Sequence, residues 1–283
     1  MSITAVEGVS QVRYVCDTCT DDGWTAGHLR VRGRSVYYRR SLGGAPDVPI
    51  VHVHGFGIAG SYLMPTARQL AGRRVNVVPD LPGYGRSQRG EHVLGIHELA
   101  EAVLALLDKM HIDTAVLVGN SMGCPIGLEI AHAAPERVHR LVLVSPAGGI
   151  QNRPLPRALG QLGLDVIRES PRMIPVAVPD YVRFGPLNAL RLFHELTRFP
   201  SLERLLHTPV PSLAVLGGRD PLMPPPDRVR DVGGRAHVSV VVIERAAHAI
   251  NFSHPRQLAQ VIDDWLDGRD PSGGPGVRVL DTR

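Results

Sequence analysis

Residues 115–124 read AVLVGNSMGC, and this stretch restricts the fold more than any other. Ala115 to Val118 are apolar without a polar interruption, the mark of a short strand buried on both faces. Gly119-Asn120-Ser121-Met122-Gly123 follows as a turn. Beyond it Pro125, Ile126, Gly127, Leu128, Ile130 and Ala131 predict a helix that ends near His132 to Ala134. Strand, Gly-x-Ser-x-Gly turn and helix in that order form the nucleophile-elbow pattern. A serine at the tip of such a turn projects its hydroxyl away from the backbone. Its flanking glycines let strand and helix cross closely. The new helix adds free N–H groups and a partial positive charge beside the serine. A plain glycine-rich turn bearing an ordinary serine would read the same, so the rest of the chain has to decide.

The elbow sits in a repeating rhythm of buried strands and helices. HLRVRGRSVYYRR, from His28, alternates across Gly33-Arg34 and predicts a β-hairpin. Residues 43–49 read as a loop, and Pro49 to Val53 as a buried strand running into His54-Gly55-Phe56-Gly57. Backbone N–H groups of that glycine-rich turn suit an oxyanion, though a simple turn is equally compatible. A helix over Ser61 to Ala71, a strand over Arg74 to Val78 and a helix over Ile96 to Met110 follow, then the elbow, then a strand over Val138 to Val144. Asp80, in DLPGYGRS, is expected to shape its turn through backbone hydrogen bonds. Strands alternating with helices predict an α/β fold with a mostly parallel central sheet and helices on both faces. In such sheets ligands bind beyond the carboxyl ends of the strands. The turn at 54–57, the elbow and Asp220 each follow a strand, so they are expected on one edge.

The rhythm breaks at Pro146. Residues 147–210 show no buried-strand pattern. They predict helices over Leu155 to Glu169 and Leu187 to Phe199, with Pro175 and Pro179 breaking the middle. This stretch is expected to form a helical cap over the strand ends, with Arg153, Arg157, Arg172, Arg183 and Arg191 mostly in solvent. The sheet resumes with Ser212 to Leu216 and His237 to Ile243, and an amphipathic helix spans Pro255 to Leu266. The expected organisation is an N-terminal extension over 1–26, with an edge strand at Val12 to Val15, and a core over 27–146 and 211–268 interrupted by the cap. Residues 269–283, rich in glycine and proline, read as a flexible tail.

Composition removes several functions. Net charge is +4, but 30 of the 31 basic residues are arginines scattered among acids, with Lys109 the sole lysine. A nucleic-acid surface would need a basic stripe. No apolar run approaches the ~18 residues of a membrane span, and MSITAVEGVS does not read as a secretory leader, so a cytoplasmic location is expected. The three cysteines, Cys16, Cys19 and Cys124, do not suggest a disulfide framework. Cys16-x-x-Cys19 lacks both a βαβ setting and a second pair for zinc. Cys124 reads as a small core residue behind the elbow.

Ser121, Asp220 and His248 occur in the order Ser, Asp, His, each after an expected strand. With HGFG at 54–57, DLPGYGRS at 80–87, GNSMG at 119–123, GGRDPLMP at 217–224 and AAHAINFSHP at 246–255, the chain resembles the α/β-hydrolase-fold serine hydrolases from about Gly27 to Asp267. The resemblance implies that family's fold, with the cap inserted after the sixth strand. It implies Ser121 as nucleophile, His248 as general base and Asp220 as the acid that orients it, with Asp227 the alternative acid. The N–H groups of Phe56 and Met122 would form the oxyanion hole, and no cofactor or metal beyond water would be needed. The base would titrate at about 6 to 7.

Serine at position 121 sets apart the family's haloalkane dehalogenases and epoxide hydrolases, which carry aspartate there. Three departures appear: Cys124 replaces a common third glycine, Ser253 and His254 stand where many relatives have an acid, and Gly57-Ile58-Ala59-Gly60 lacks the proline of many carbon–carbon hydrolases. The resulting expectation is hydrolysis of a small, largely apolar ester, lactone or thioester. Cleavage of a ring-fission diketo acid by the same triad, and a non-catalytic ligand-binding scaffold, are the alternatives.

Overall fold

A computed structural model of the chain describes residues 16–20, 22–146, 155–223, 237–272 and 274–280. Its strands are β1 Cys16–Thr20, β2 Trp24–Val31, β3 Arg34–Ser41, β4 Ala45–Val53, β5 Arg74–Pro79, β6 Ala115–Asn120, β7 Val138–Val144, β8 Ser212–Gly217, β9 Val238–Ile243 and β10 Val277–Val279. The helices are α1 Met64–Leu70, α2 Ile96–Lys109, α3 Gly123–Ala133, α4 Leu155–Arg168, α5 Ile174–Phe184, α6 Pro186–Arg198, α7 Ser201–His207, α8 Ile250–Ser253 and α9 Pro255–Leu266.

All ten strands join one sheet in the order β1-β2-β3-β5-β4-β6-β7-β8-β9-β10. Pairing is parallel from β5 across β4, β6, β7 and β8 to β9. It is antiparallel at both margins. The hairpin turn between β2 and β3 places Arg32 and Gly33 at φ of 47° and 80°, the two positive values that such a tight turn demands.

The continuous apolar runs of the central strands follow from cover on both faces. Along β6, Leu117 faces a core shared with Leu99, Val103 and Leu107 of α2 and with Ile126 and Ile130 of α3. Val116 and Val118 face the opposite core, with Leu258, Ile262 and Trp265 of α9. Neighbouring strands repeat this alternation in register, Ile50 beside Val116 and Val142 beside Val118.

Several boundaries differ from the sequence-based expectation. The strand expected at Val12 to Val15 lies outside the described residues. The strand at 16–20 makes Val138–Val144 the seventh rather than the sixth, so the helical insertion follows the seventh. β4 begins at Ala45, because a register irregularity between Ala45 and Ile50 carries pairing with β5 through the expected loop. Pro175 and Pro179 do not break the insertion: α5 runs through both. Pro175 lies in the first turn, where a missing N–H costs nothing. α7 adds a helix that no long periodic segment announces. Within the stretch read as a flexible tail, β10 pairs with β9, Val277 opposite Ile243.

Helices α4 to α6 lie over the carboxyl side of the sheet through specific contacts, whereas α7 packs on α3, with Arg204 3.3 Å from Glu129. Phe56, beyond β4, meets Tyr181 and Phe184 of α5 and Phe193 of α6 edge-on or tilted, at ring-centre distances of 6.3, 5.6 and 5.6 Å. The Ala59 N–H donates to Asp180 at 2.9 Å, and the Ile96 N–H to Glu195 at 2.8 Å. Gln161 donates to the Pro221 carbonyl at 2.9 Å. Of the arginines expected in solvent, Arg157, Arg172, Arg183 and Arg191 are exposed, and Arg153 lies outside the described residues. No helix among the described residues is long and apolar enough to cross a membrane.

Candidate active site

The elbow is a tight crossing. A Cβ on Gly119 would overlap the Gly123 carbonyl, and one on Gly123 would overlap the Val53 carbonyl. Only glycine allows the end of β6, the start of α3 and the end of β4 to meet there. Ser121 itself has φ of 54°, a left-handed conformation that is costly for a residue with a side chain. It is held by its N–H, which donates to the Val144 carbonyl at 3.0 Å, and by its carbonyl, which accepts from Cys124 at 3.0 Å. Cys124 is buried behind the turn, its Sγ 3.3 Å from the Gly119 carbonyl oxygen, and burial pushes its thiol pKa up.

Asp220 lies in the turn after β8 and His248 in the loop after β9. Their side chains meet: His248 Nδ1 donates to Asp220 Oδ2 at 2.7 Å, while Asp220 Oδ1 accepts the Leu222 N–H at 2.8 Å. With Nδ1 so engaged, Nε2 is the nitrogen left free. Burial disfavours the His248 imidazolium most strongly. The charge of Asp220, the hydrogen bond to it, and the carboxylates Asp165 and Glu169 outweigh burial and lift the pKa to about 9. That lies above the 6 to 7 expected of an ordinary histidine base. Asp227, the alternative acid, lies outside the described residues.

Phe56 occupies the turn after β4. A Cβ placed on neighbouring Gly55 would stand 3.2 Å from Ser121 Cβ, so this turn abuts the serine. Neither the Phe56 nor the Met122 N–H donates to a protein acceptor among the described residues. The same turn is fixed by His54, whose Nδ1 donates to the Gly55 carbonyl at 2.9 Å while Nε2 accepts the Leu81 N–H at 2.9 Å. Burial lowers the His54 pKa to about 4, so it serves as a neutral strut. Asp80 accepts from the Gly60 and Arg86 N–H groups at 3.0 and 2.9 Å and from Arg39 at 2.9 Å, which shapes the turn as expected.

Residues not singled out in the sequence tie these parts together. Tyr62 Oη accepts the Gly55 N–H at 2.8 Å and donates to Asn120 Oδ1 at 2.6 Å. Asn120 Nδ2 donates to the carbonyls of Val144 at 3.1 Å and His248 at 3.4 Å. One buried chain thus links the turn after β4, the elbow and the histidine loop.

Ser121 and His248 line one cleft between the strand ends and the insertion. Its walls include Ile58, Leu162, Met173, Phe193 and Leu196, and two carboxyl groups, Asp165 from α4 and Glu169 just beyond its end. Burial pushes Asp165 up to about 7 and raises Glu169 as well. Among the described residues no group of three or more His, Cys, Asp or Glu side chains is arranged to hold a metal ion.

Comparison with known proteins agrees with this architecture. The model of the α/β-hydrolase family matches residues 50–261, and the chain belongs to that family. It is 30% identical over 255 residues to the pimeloyl-[acyl-carrier protein] methyl ester esterase of Pectobacterium carotovorum, with 77% of this chain and 94% of the relative covered. It is 29% identical over 240 residues to the dihydrolipoyllysine-residue acetyltransferase component of the acetoin cleaving system of Pseudomonas putida. That match covers 77% of this chain but only 63% of the relative's length. Among solved structures, a bacterial membrane phospholipase A superposes with a TM-score of 0.74 at 24% identity, covering 87% of each chain, a likeness of fold. The chain is an α/β hydrolase whose relatives include a named esterase.

Proposed function

We propose that the chain is a serine hydrolase that cleaves a small carboxylic ester, lactone or thioester through an acyl-enzyme on Ser121. The observation that carries this reading is the 2.7 Å Asp220–His248 hydrogen bond beside a serine held at positive φ in the same cleft. In this scheme His248 Nε2 takes the Ser121 proton as Oγ attacks the carbonyl carbon. Asp220 holds the ring and stabilises the imidazolium. The N–H groups of Phe56 and Met122 receive the developing oxyanion, a contribution of about 3 kcal/mol per donor in comparable sites. His248 then protonates the leaving group, and water, activated by the same histidine, releases the acid. No cofactor is required. The methyl ester named for the Pectobacterium relative belongs to the same bond class.

The cleft favours this reading over carbon–carbon cleavage. A ring-fission diketo acid brings a carboxylate, whereas the ionisable groups that this part of the insertion offers are the acids Asp165 and Glu169 rather than a cation. A fluorophosphonate probe is expected to label Ser121 in wild-type protein and to give no label in Ser121→Ala, which should lose kcat by about five orders of magnitude. Short and medium 4-nitrophenyl esters should turn over faster than long ones, since the cleft is finite. Faster turnover of a vinylogous 1,5-diketo acid than of every ester would replace this reading with carbon–carbon hydrolysis. Absence of labelling and turnover in folded protein would leave a ligand-binding scaffold.

A further inference from the structure

Asp165 and the adjoining Glu169 are one helical turn apart, so both leave the same face of the α4 segment. Both border the cleft that Ser121 and His248 share. Asp165 is 5% exposed, and its Oδ1 has no hydrogen-bond partner. Glu169 Oε1 accepts the Ala249 N–H at 2.6 Å, and its buried Oε2 has no partner. Among the described residues no arginine or lysine pairs with either carboxylate, and the cation that both face is the His248 imidazolium. Arg168, between them in sequence, donates instead to the Arg219 carbonyl at 2.9 Å. Acceptor oxygens withdrawn from water without donors are costly, and native proteins rarely keep them without a use.

The surroundings indicate which donor fits. Phe193 and Tyr181 add aromatic surface to the cleft. Carboxylate oxygens next to aromatic and aliphatic walls are the chemistry of an ammonium site. A hydrogen-bonding N–H₃⁺ suits these atoms better than a quaternary ammonium, because the unpartnered oxygens need protons to accept.

We propose that Asp165 and Glu169 form an acidic subsite that binds a primary ammonium group, carried on an apolar chain of the substrate, beside the carbonyl that Ser121 attacks. The position of that carbonyl rests on the ester-hydrolase reading; binding of the ammonium group does not. The two acids also touch the histidine loop, through the Ala249 N–H and beside the His248 amide. Asparagine and glutamine keep an acceptor for those amides and remove only the charge, so they separate ammonium recognition from a purely structural tether.

The test compares 4-nitrophenyl 6-aminohexanoate with 4-nitrophenyl heptanoate, which has a methyl group where the first has the ammonium. Wild-type protein is expected to prefer the amino ester in kcat/KM by a factor on the order of ten or more. Asp165→Asn with Glu169→Gln should bring the ratio to one or below. A wild-type ratio of one or less, or a preference that survives in the double variant, overturns the proposal. Hexylammonium binding to wild-type protein, measured by calorimetry against 1-hexanol, gives a readout independent of turnover and of whether the variants fold. If neither ester is hydrolysed, the ester reading fails. Preferential hexylammonium binding then upholds the subsite, and its absence overturns it.

Discussion

The sheet and the helical insertion meet at the same cleft, yet they are built on opposite terms. In the sheet, Leu117 is fully buried, and the strands leave almost no apolar surface outside. In the insertion, Ile167 of α4 is 81% exposed and Val182 of α5 is 76% exposed. The sheet's charged pair is saturated: both Asp220 oxygens have partners, one of them His248. The insertion's charged pair keeps one unpartnered oxygen on each of Asp165 and Glu169. Rigid packing suits groups that must hold one geometry through a reaction. A lightly packed layer that meets the core through Phe56, Asp180, Glu195 and Gln161 suits groups that select what enters. The proposed division is chemistry on the strand ends and selection on the cap.

Asp220→Asn gives the largest expected effect on that division. It preserves shape but reverses the hydrogen bond that fixes the His248 tautomer, and kcat should fall by about four orders of magnitude, with thermal unfolding nearly unchanged. Steady-state kinetics and a melting curve check both parts. A near-normal rate would move the acid role to another residue, with Asp227 the first to examine. Next is Leu117→Ala. It leaves a cavity between the sheet and helices α2 and α3 and should lower stability by about 2 to 5 kcal/mol, read from chemical denaturation.

A third prediction separates the contributions of the two layers to His248. The groups facing the imidazole are Asp220 from the core and Asp165 and Glu169 from the insertion. Because the neutral ring is the base, kcat/KM for a neutral ester such as 4-nitrophenyl butyrate should rise with pH through about 9. Asp165 carries its proton up to about 7, so between 7 and 9 it is ionised and favours the imidazolium. Asp165→Asn removes that charge, makes the proton easier to lose, and should move the midpoint down by about one pH unit. An unchanged midpoint would mean that the insertion has no electrostatic hold on the core base.

The same contrast explains what could be read from the sequence. The parallel sheet, the elbow and the positions of Ser121, Asp220 and His248 after strands were legible because buried runs and glycine-bounded turns are local signals. Tyr62 was hidden because its role depends on a partner 58 residues away, Asn120. β10 was missed because three residues in a Gly/Pro-rich tail have no periodicity, and pairing with β9 alone defines them. Asp165 and Glu169 did carry a local sign. Like charges at i and i+4 weaken a solvated helix, so their pairing called for a reason beyond solvation. The insertion's arginines are the more conspicuous charges in the sequence, yet Arg157, Arg172, Arg183 and Arg191 lie in solvent.

The smallest expected effect is at the far side of the insertion. Ile167 projects from α4 between Val166 and Arg168, with 81% of its surface in solvent. Ile167→Ser removes little buried area, and serine has nearly the helix propensity of isoleucine. The change in unfolding free energy should therefore stay within about 0.5 kcal/mol, and ester kinetics should not change. Leu117→Ala in the sheet is the matching control, since each substitution truncates one aliphatic side chain. A loss above about 1 kcal/mol at Ile167 would show that this face of α4 is covered in solution, because apolar area stabilises only when it is withdrawn from water. The concentration dependence of that loss would then distinguish a second copy of the chain from packing within one.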